Sequence, residues 1–363
     1  MDIDEIEKIP FVFIVGRGRS GTTLLQNILD ANEQALLPRE SKLIIHLKQK
    51  YFKTSFFTDA IIDTLIVDLY KDRFFKNSWK VDMQQLTKQL KSYPKNKLDF
   101  SIVCKIIYLN YSSLYGTGNL KIMGDKNPIY SIFIPELLEV FPKAKFIHLI
   151  RDYRDNVVSN RKAFGEKSIA FLGYGWLFFN QAIEKAKRTN KSNFYTIRYE
   201  DLVTHPQQKI IELCEFLSLD FNANMVHFNK KLNTLFNENT TNTIVKNHKN
   251  LINPINTSQV EKYKTSLTEK EIETLDYICN DYAKQYGYFP FKNDFKPISI
   301  LKRIFYSYKN YRVIMVVKFY YNSSFILRDL VRYVSEKLFK WFKLTTKYNK
   351  IELMLQVERE RVG

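Results

Sequence analysis

Short apolar runs, each closed by polar or turn-forming residues, punctuate the first two hundred positions. Five stand out: Phe11–Val15, Leu36–Leu37, Lys121–Met123, Lys145–Ile150 and Phe194–Ile197. Runs this short, rich in β-branched and aromatic residues, predict buried strands. The stretches between them read mostly as helix, with starts after Gly21, Pro128, Asp152, Lys167, Pro206 and Thr268. Strands alternating with helices predict an α/β fold with a central, mainly parallel sheet flanked by helices. Residues 42–120 are rich in Lys, Phe, Tyr and Leu without a strand pattern, and predict a helical insertion. A boundary falls near Pro290–Pro297, giving a main domain over 1–290 and a helical C-terminal appendage over 291–363.

Two segments break the alternation. From Asn229 to Asn256 there are nine asparagines in 28 residues, so 222–258 reads as a long loop of the kind that serves as a lid or binding loop. In the tail, Leu327, Leu330, Val331, Val334, Leu338 and Trp341 fall on one helical face, with Arg328, Arg332, Lys337, Lys340 and Lys343 around it. A basic amphipathic helix suits an anionic membrane surface or a partner protein. The alternative is an appendage packed on the main domain, its lysine stems lying along the surface.

Charge sharpens that picture. The formal net charge is +18. Residues 291–363 contain 16 Lys and Arg against 6 Asp and Glu, so most of the excess sits in the tail. A basic chain attracts polyanions. No nucleic-acid-reading motif is present, so a nucleic-acid partner is not expected. The three cysteines and five histidines are scattered without ligand spacing, and no metal is expected. The opening MDIDEIEKIP is acidic and short, unlike a signal peptide, and the expected location is cytoplasmic.

The strongest local chemistry lies in Phe11-Val-Phe-Ile-Val-Gly-Arg-Gly-Arg-Ser-Gly-Thr-Thr-Leu-Leu25. A buried strand enters a Gly-rich turn and then a helix, so turn amides and helix N-terminus can face a phosphate. Gly16 and Gly21 have P-loop spacing, but Thr22 stands where a nucleotide triphosphatase needs lysine. A kinase-like P-loop transferase is therefore the weaker alternative. A non-catalytic membrane-associated nucleotide-binding protein is another. A second strand-to-helix junction, Lys145 to Asn160, puts Arg151 at a strand's C-terminal end, where open α/β sheets bind ligands, and Ser159 two turns into the helix.

These motifs together resemble the sulfotransferases that use 3′-phosphoadenosine-5′-phosphosulfate (PAPS). Arg-Ser-Gly-Thr-Thr-Leu-Leu, residues 19–25, is most similar to the branch with tyrosylprotein and Golgi glycan sulfotransferases; the cytosolic branch usually has lysine at position 19. The resemblance implies a P-loop-like three-layer fold and PAPS as sulfuryl donor. It implies that Arg19, Ser20, Gly21, Thr22 and Thr23 hold the phosphosulfate, that Arg151 and Ser159 hold the 3′-phosphate, and that Tyr199, in Arg-Tyr-Glu-Asp-Leu, lies by the adenine. It also implies catalytic roles for Glu40 as base and for Lys126 and Arg19 as positive charge at the reacting group. His46 is the rival base, since the cytosolic branch uses histidine. Insertion 42–120 would lie on the acceptor side. The tyrosylprotein branch has a basic residue where Asn253 stands, for which Lys246 or Lys249 would substitute. The acceptor, a hydroxyl or amine, stays open among saccharide, lipid, peptide and small molecule.

Overall fold

A computed structural model describes residues 1–237, 249–292 and 297–341. The chain divides into two compact units: one holds Lys8–Pro38 and Ser112–Asn310, the other Met1–Glu7, Arg39–Tyr111 and Tyr311–Gly363.

The first unit is built on five strands among the described residues: β1 (Phe11–Val15), β2 (Ala35–Leu36), β3 (Ile122–Lys126), β4 (Lys145–Ile150) and β5 (Phe194–Arg198). Their order is β2-β3-β1-β4-β5 and every pairing is parallel. Each of the five predicted runs overlaps a strand, with Leu37 and Lys121 falling just outside β2 and β3. All of β1 is buried, which is why it reads as an unbroken apolar run: helices cover both faces of a parallel sheet. Alternate residues go to opposite faces. Val12 and Ile14 join Leu25, Ile28 and Leu29 of α1 (Thr22–Asp30) and Ile210 and Leu213 of the helix Pro206–Leu217 in one cluster. Phe13 stacks on Phe146 at 5.3 Å between ring centres, and Phe146 on Phe194 at 4.8 Å.

Helix α2 (Tyr153–Phe164) follows β4, and α3 (Ile169–Thr189) packs on α4 (Glu269–Ala283) through Trp176, Leu275 and Cys279. The approach is close: a Cβ on Gly173 would lie 2.9 Å from the end of the Leu275 side chain, which would have to shift. Helix α5 (Ile300–Asn322) and helix α6 (Phe325–Trp341) form the tail.

The second unit is helical. Leu43–Tyr51, Asp59–Leu69, Arg73–Ser78, Met83–Ser92 and Phe100–Leu109 fill most of the stretch expected to be helical. Thr58, Asp82 and Asp99 cap three of these helices by accepting backbone N–H bonds. Buried Asp68 accepts from Lys50, Lys71 and Tyr51, all within 2.8 Å.

Three local readings differ from the structure. Asn229–Asn237, expected as loop, is a helix; Leu232 is buried and Asn233 donates to the Ile252 carbonyl at 2.7 Å, so the polar residues are used as ties. Residues 238–248, with Lys246, lie outside the described residues, as do Lys343 and the rest of the chain beyond 341. Arg328, expected among the basic positions around the apolar face of its helix, is buried. Its guanidinium donates to the carbonyls of His46 at 2.8 Å, Ser323 at 2.9 Å and Tyr321. Lys126, which falls beyond the predicted run Lys121–Met123, is the last residue of β3 and is buried. Gly124 and Asp125 hide the strand's second half from an apolar-run reading, yet a Cβ on Gly124 would meet the Val12 carbonyl at 2.4 Å, so only glycine fits the strand there.

Candidate functional site

The C-terminal ends of β1, β3, β4 and β5 converge on the turn Gly16–Gly21. Gly16 has φ +156°, and a Cβ there would meet the Leu149 carbonyl at 2.4 Å. Gly21 has φ +96° and caps α1 without a side-chain bond, leaving the first amides of the helix for another acceptor. Arg19 also has positive φ, +72°. An arginine held in that sparsely populated region costs of order 1–3 kcal/mol and persists only when its surroundings over-determine it.

Those surroundings are specific. Asn156 donates to the Gly18 carbonyl and to the Ser20 hydroxyl, both at 3.0 Å, and Asn160 donates to the Gly18 carbonyl at 3.2 Å. Gly16 N–H donates to Ser131 Oγ at 3.0 Å. Arg151 donates to the Arg19 carbonyl at 3.2 Å. The turn is thus fastened from α2, from the segment after β3 and from the end of β4.

The residues expected to serve the nucleotide meet here. Arg19 Nε donates to Ser159 Oγ at 3.3 Å. The Arg151 guanidinium lies 4.6 Å over the Tyr199 ring and also donates to the Gln259 carbonyl at 2.5 Å. Its buried Nε has no hydrogen-bond partner, and its Nη2 lies 4.0 Å from Asp155 Oδ2. Asp155 is committed elsewhere, accepting the Glu261 and Tyr263 amides at 2.7 and 2.9 Å. Burial holds the Asp155 carboxyl above its ordinary range, against the opposing pull of Arg151. Tyr199 packs on Gly21, where a Cβ would sit 2.6 Å from its ring. Burial raises its phenol. Lys126 Nζ donates to Thr23 Oγ1 at 3.2 Å, bringing β3 to the start of α1.

Arg17 was not singled out by sequence, nor were Ser131, Asn156 and Asn160. Arg17 lies 4.7 Å over the Phe179 ring, and its buried Nε has no hydrogen-bond partner. Desolvation pushes its pKa down to about 10. The Asn pair carried a readable signal: positions 156 and 160 are one helical turn apart on the helix that carries Ser159.

Glu40 and His46 belong to the helical unit. Asp72 pins the Glu40-Ser41-Lys42 segment, accepting from Ser41 Oγ at 3.1 Å and from Lys42 N–H at 2.9 Å. Burial pushes Lys42 down to about 8, opposed by Asp72 and then Glu40. His46 has both ring nitrogens engaged: Nε2 with the Asp68 carbonyl at 3.0 Å and Nδ1 with Arg328 at 3.4 Å. Burial lowers its pKa. Among the described residues, no cluster of three or more His, Cys, Asp or Glu is placed to hold a metal.

A parallel sheet with a glycine turn, a helix N-terminus and converging cations at its C-terminal edge has the architecture of the P-loop-like α/β class, whose members bind ligands at that edge. Residues 10–223 match the model of the sulfotransferase family, and the chain belongs to that family. Relatives include a protein-tyrosine sulfotransferase of Drosophila melanogaster, 21% identical over 70% of this chain and 47% of that protein. Another is protein-tyrosine sulfotransferase A of Caenorhabditis elegans, 20% identical over 78% and 68%. The chain thus spans about half the length of the fly protein and about two thirds of the worm protein. Among solved structures, the sulfotransferase domain of the curacin biosynthetic pathway shares the fold, with TM-score 0.50, 21% identity, and 77% and 98% of the two chains covered.

Proposed function

We propose that the chain transfers a sulfuryl group from PAPS to a hydroxyl or amine acceptor. One observation carries this reading: Arg19, Ser159, Arg151, Tyr199 and the Lys126–Thr23 pair converge on the glycine turn, while Thr22 fills the P-loop lysine position. The donor set fits a nucleotide with two separate phosphate groups. Arg19, Ser20, Gly21, Thr22 and Thr23 would hold the 5′-phosphosulfate through amides, hydroxyls and one guanidinium. Arg151 and Ser159 would hold the 3′-phosphate; the buried, unpartnered Arg151 Nε is a donor suited to such an anion. Tyr199 would lie against the adenine.

When bound, PAPS supplies an activated sulfuryl group whose leaving group is 3′,5′-bisphosphoadenosine. Glu40 accepts the acceptor's proton. Lys126 and Arg19 place positive charge where negative charge builds, usually the larger contribution to rate. His46, with both ring nitrogens engaged, is the weaker base. This scheme requires no metal, and a cytoplasmic location fits it. The tail's contact with an anionic membrane surface belongs to the same reading, supported by exposed Leu330, Val331 and Val334 on α6.

Calorimetry in EDTA tests the reading. The protein should bind 3′,5′-bisphosphoadenosine and prefer it to 5′-AMP by tenfold or more, roughly one charge-assisted bond. Equal affinities overturn the assignment of Arg151 and Ser159. A screen with radiolabelled PAPS across saccharides, lipids, peptides and small phenols then identifies the acceptor.

A further inference from the structure

Helix α5 is apolar on both sides but only one side is covered. Asn310, Val317 and Tyr321 are buried along one face, and Asn310 donates to the Phe171 carbonyl at 3.0 Å. On the opposite face, Leu301, Ile304, Phe305, Met315, Val316 and Phe319 are between 48% and 78% exposed. Leu301, Ile304 and Phe305 share one stripe with Met315, Val316 and Phe319: steps of one, three and four residues within each group, and of ten from Phe305 to Met315, keep all six on the same side of the helix, with Arg312 between the groups. The stripe spans 19 residues, Leu301 to Phe319, roughly 27 Å at a rise of 1.5 Å per residue. Single exposed apolar residues are ordinary on a protein surface; a continuous row of large ones marks an interaction site.

Charge identifies the occupant. The helix carries Lys302, Arg303, Lys309, Arg312 and Lys318, and no acidic residue. Lys302 and Lys309 flank the stripe on one side and Lys318 on the other. No described helix is long and apolar enough to cross a membrane, and five basic residues in α5 forbid a span. A one-sided apolar stripe with basic flanks and one arginine, Arg312, within it matches a bilayer surface rich in anionic lipid, with the helix lying in the interface plane. We propose that α5 is the membrane-docking helix of this protein, lying flat on anionic lipid with Leu301, Phe305, Met315 and Phe319 in the headgroup–acyl boundary. The proposal deepens the membrane contact named above and rests on it, but moves the principal surface from α6 to α5. It does not rest on the sulfuryl-transfer reading.

The test uses the 363-residue chain and vesicles of phosphatidylcholine, with and without about one third phosphatidylserine. Phe305→Ser/Phe319→Ser alters the α5 stripe, and Leu330→Ser/Val334→Ser alters the exposed face of α6. All four positions are exposed, so both variants should fold and keep wild-type affinity for 3′,5′-bisphosphoadenosine. The wild type should sediment with phosphatidylserine vesicles at low salt, much less with pure phosphatidylcholine, and less as salt rises. The α5 variant should lose tenfold or more in partitioning, while the α6 variant changes little. If the α5 variant partitions like the wild type, α5 is not the docking helix and the α6 contact stands alone. If the wild type stays in the supernatant, the proposal and the membrane reading both fall, whatever the nucleotide result. A wild-type dimer in light scattering that the α5 variant converts to monomer, without vesicle binding, would assign the stripe to a second copy of the chain and overturn the proposal.

Discussion

Arg151 shows how much one residue at a strand end can organise. It donates to the turn at the Arg19 carbonyl, lies over Tyr199 and leaves a buried Nε without a partner. Removing it should therefore do more than weaken nucleotide binding. Arg151→Ala should flatten the preference for 3′,5′-bisphosphoadenosine over 5′-AMP, a loss of about 1.5–3 kcal/mol for a bond to a charged group. Calorimetry on the variant with both nucleotides reads this; a retained preference would clear Arg151 of the 3′-phosphate role. Glu40→Gln tests the other half of the chemistry. It should leave affinity for 3′,5′-bisphosphoadenosine intact and lower kcat by roughly 10²–10⁴, with His46→Gln the milder change. The reverse ranking would make His46 the base. At this scale, sequence motifs picked out Arg19, Arg151, Ser159 and Tyr199, which the fold places around one turn. They did not pick out Ser131, a single hydroxyl with no accompanying pattern, nor Asn156 and Asn160, whose one-turn spacing beside Ser159 was the only signal they carried.

Elements were legible where burial is continuous. β1 and β4 coincide with their predicted runs because helices on both faces bury nearly every position, and all but Lys145 and His148 are apolar. β3 was read short because Gly124 and Asp125 sit in its interior, where close approach to Val12 outweighs β-propensity. Asn229–Asn237 was read as loop because asparagine disfavours helices locally, a preference that packing overrides. Two element-level predictions follow from geometry. Gly21→Ala must place a Cβ 2.6 Å from the Tyr199 ring at a φ of +96°. It should weaken binding of 3′,5′-bisphosphoadenosine at least tenfold, and destabilise the fold by about 1–3 kcal/mol; wild-type affinity would show that the turn does not grip the ligand. At the start of α4, Thr268 and Glu271 form a capping box, each side chain bonding the other's backbone amide. Thr268→Ala should cost about 0.5–2 kcal/mol in urea denaturation without altering affinity for the nucleotide.

For the whole molecule, the compact units interleave along the chain, each assembled from separated segments. Such discontinuity has no local signature, because it depends on contacts between residues distant in sequence. Stability of the sheet unit offers a further test. His148 of β4 is fully buried, its Nε2–H donating to Asn180 Oδ1 at 2.9 Å, with Nδ1 unpartnered and the Tyr286 ring edge-on at 5.9 Å. Desolvation first, then Lys187, lowers its pKa to about 4, against the raising effects of the Asn180 bond and Glu184. An ordinary histidine in the unfolded chain titrates near 6.5. Between those values the unfolded state binds the extra proton, so stability rises with pH across the window. The contribution is complete above about pH 6.5 and is lost as pH falls through about 4. From pH 7.5 to pH 5, His148 alone should remove about 2 kcal/mol. Urea denaturation of the wild type at both values, beside His148→Gln, isolates this share: the variant should show a pH 5 penalty smaller by that amount. Equal penalties would mean that His148 is not held neutral in the folded sheet, and that acid instability arises from buried groups elsewhere in the molecule.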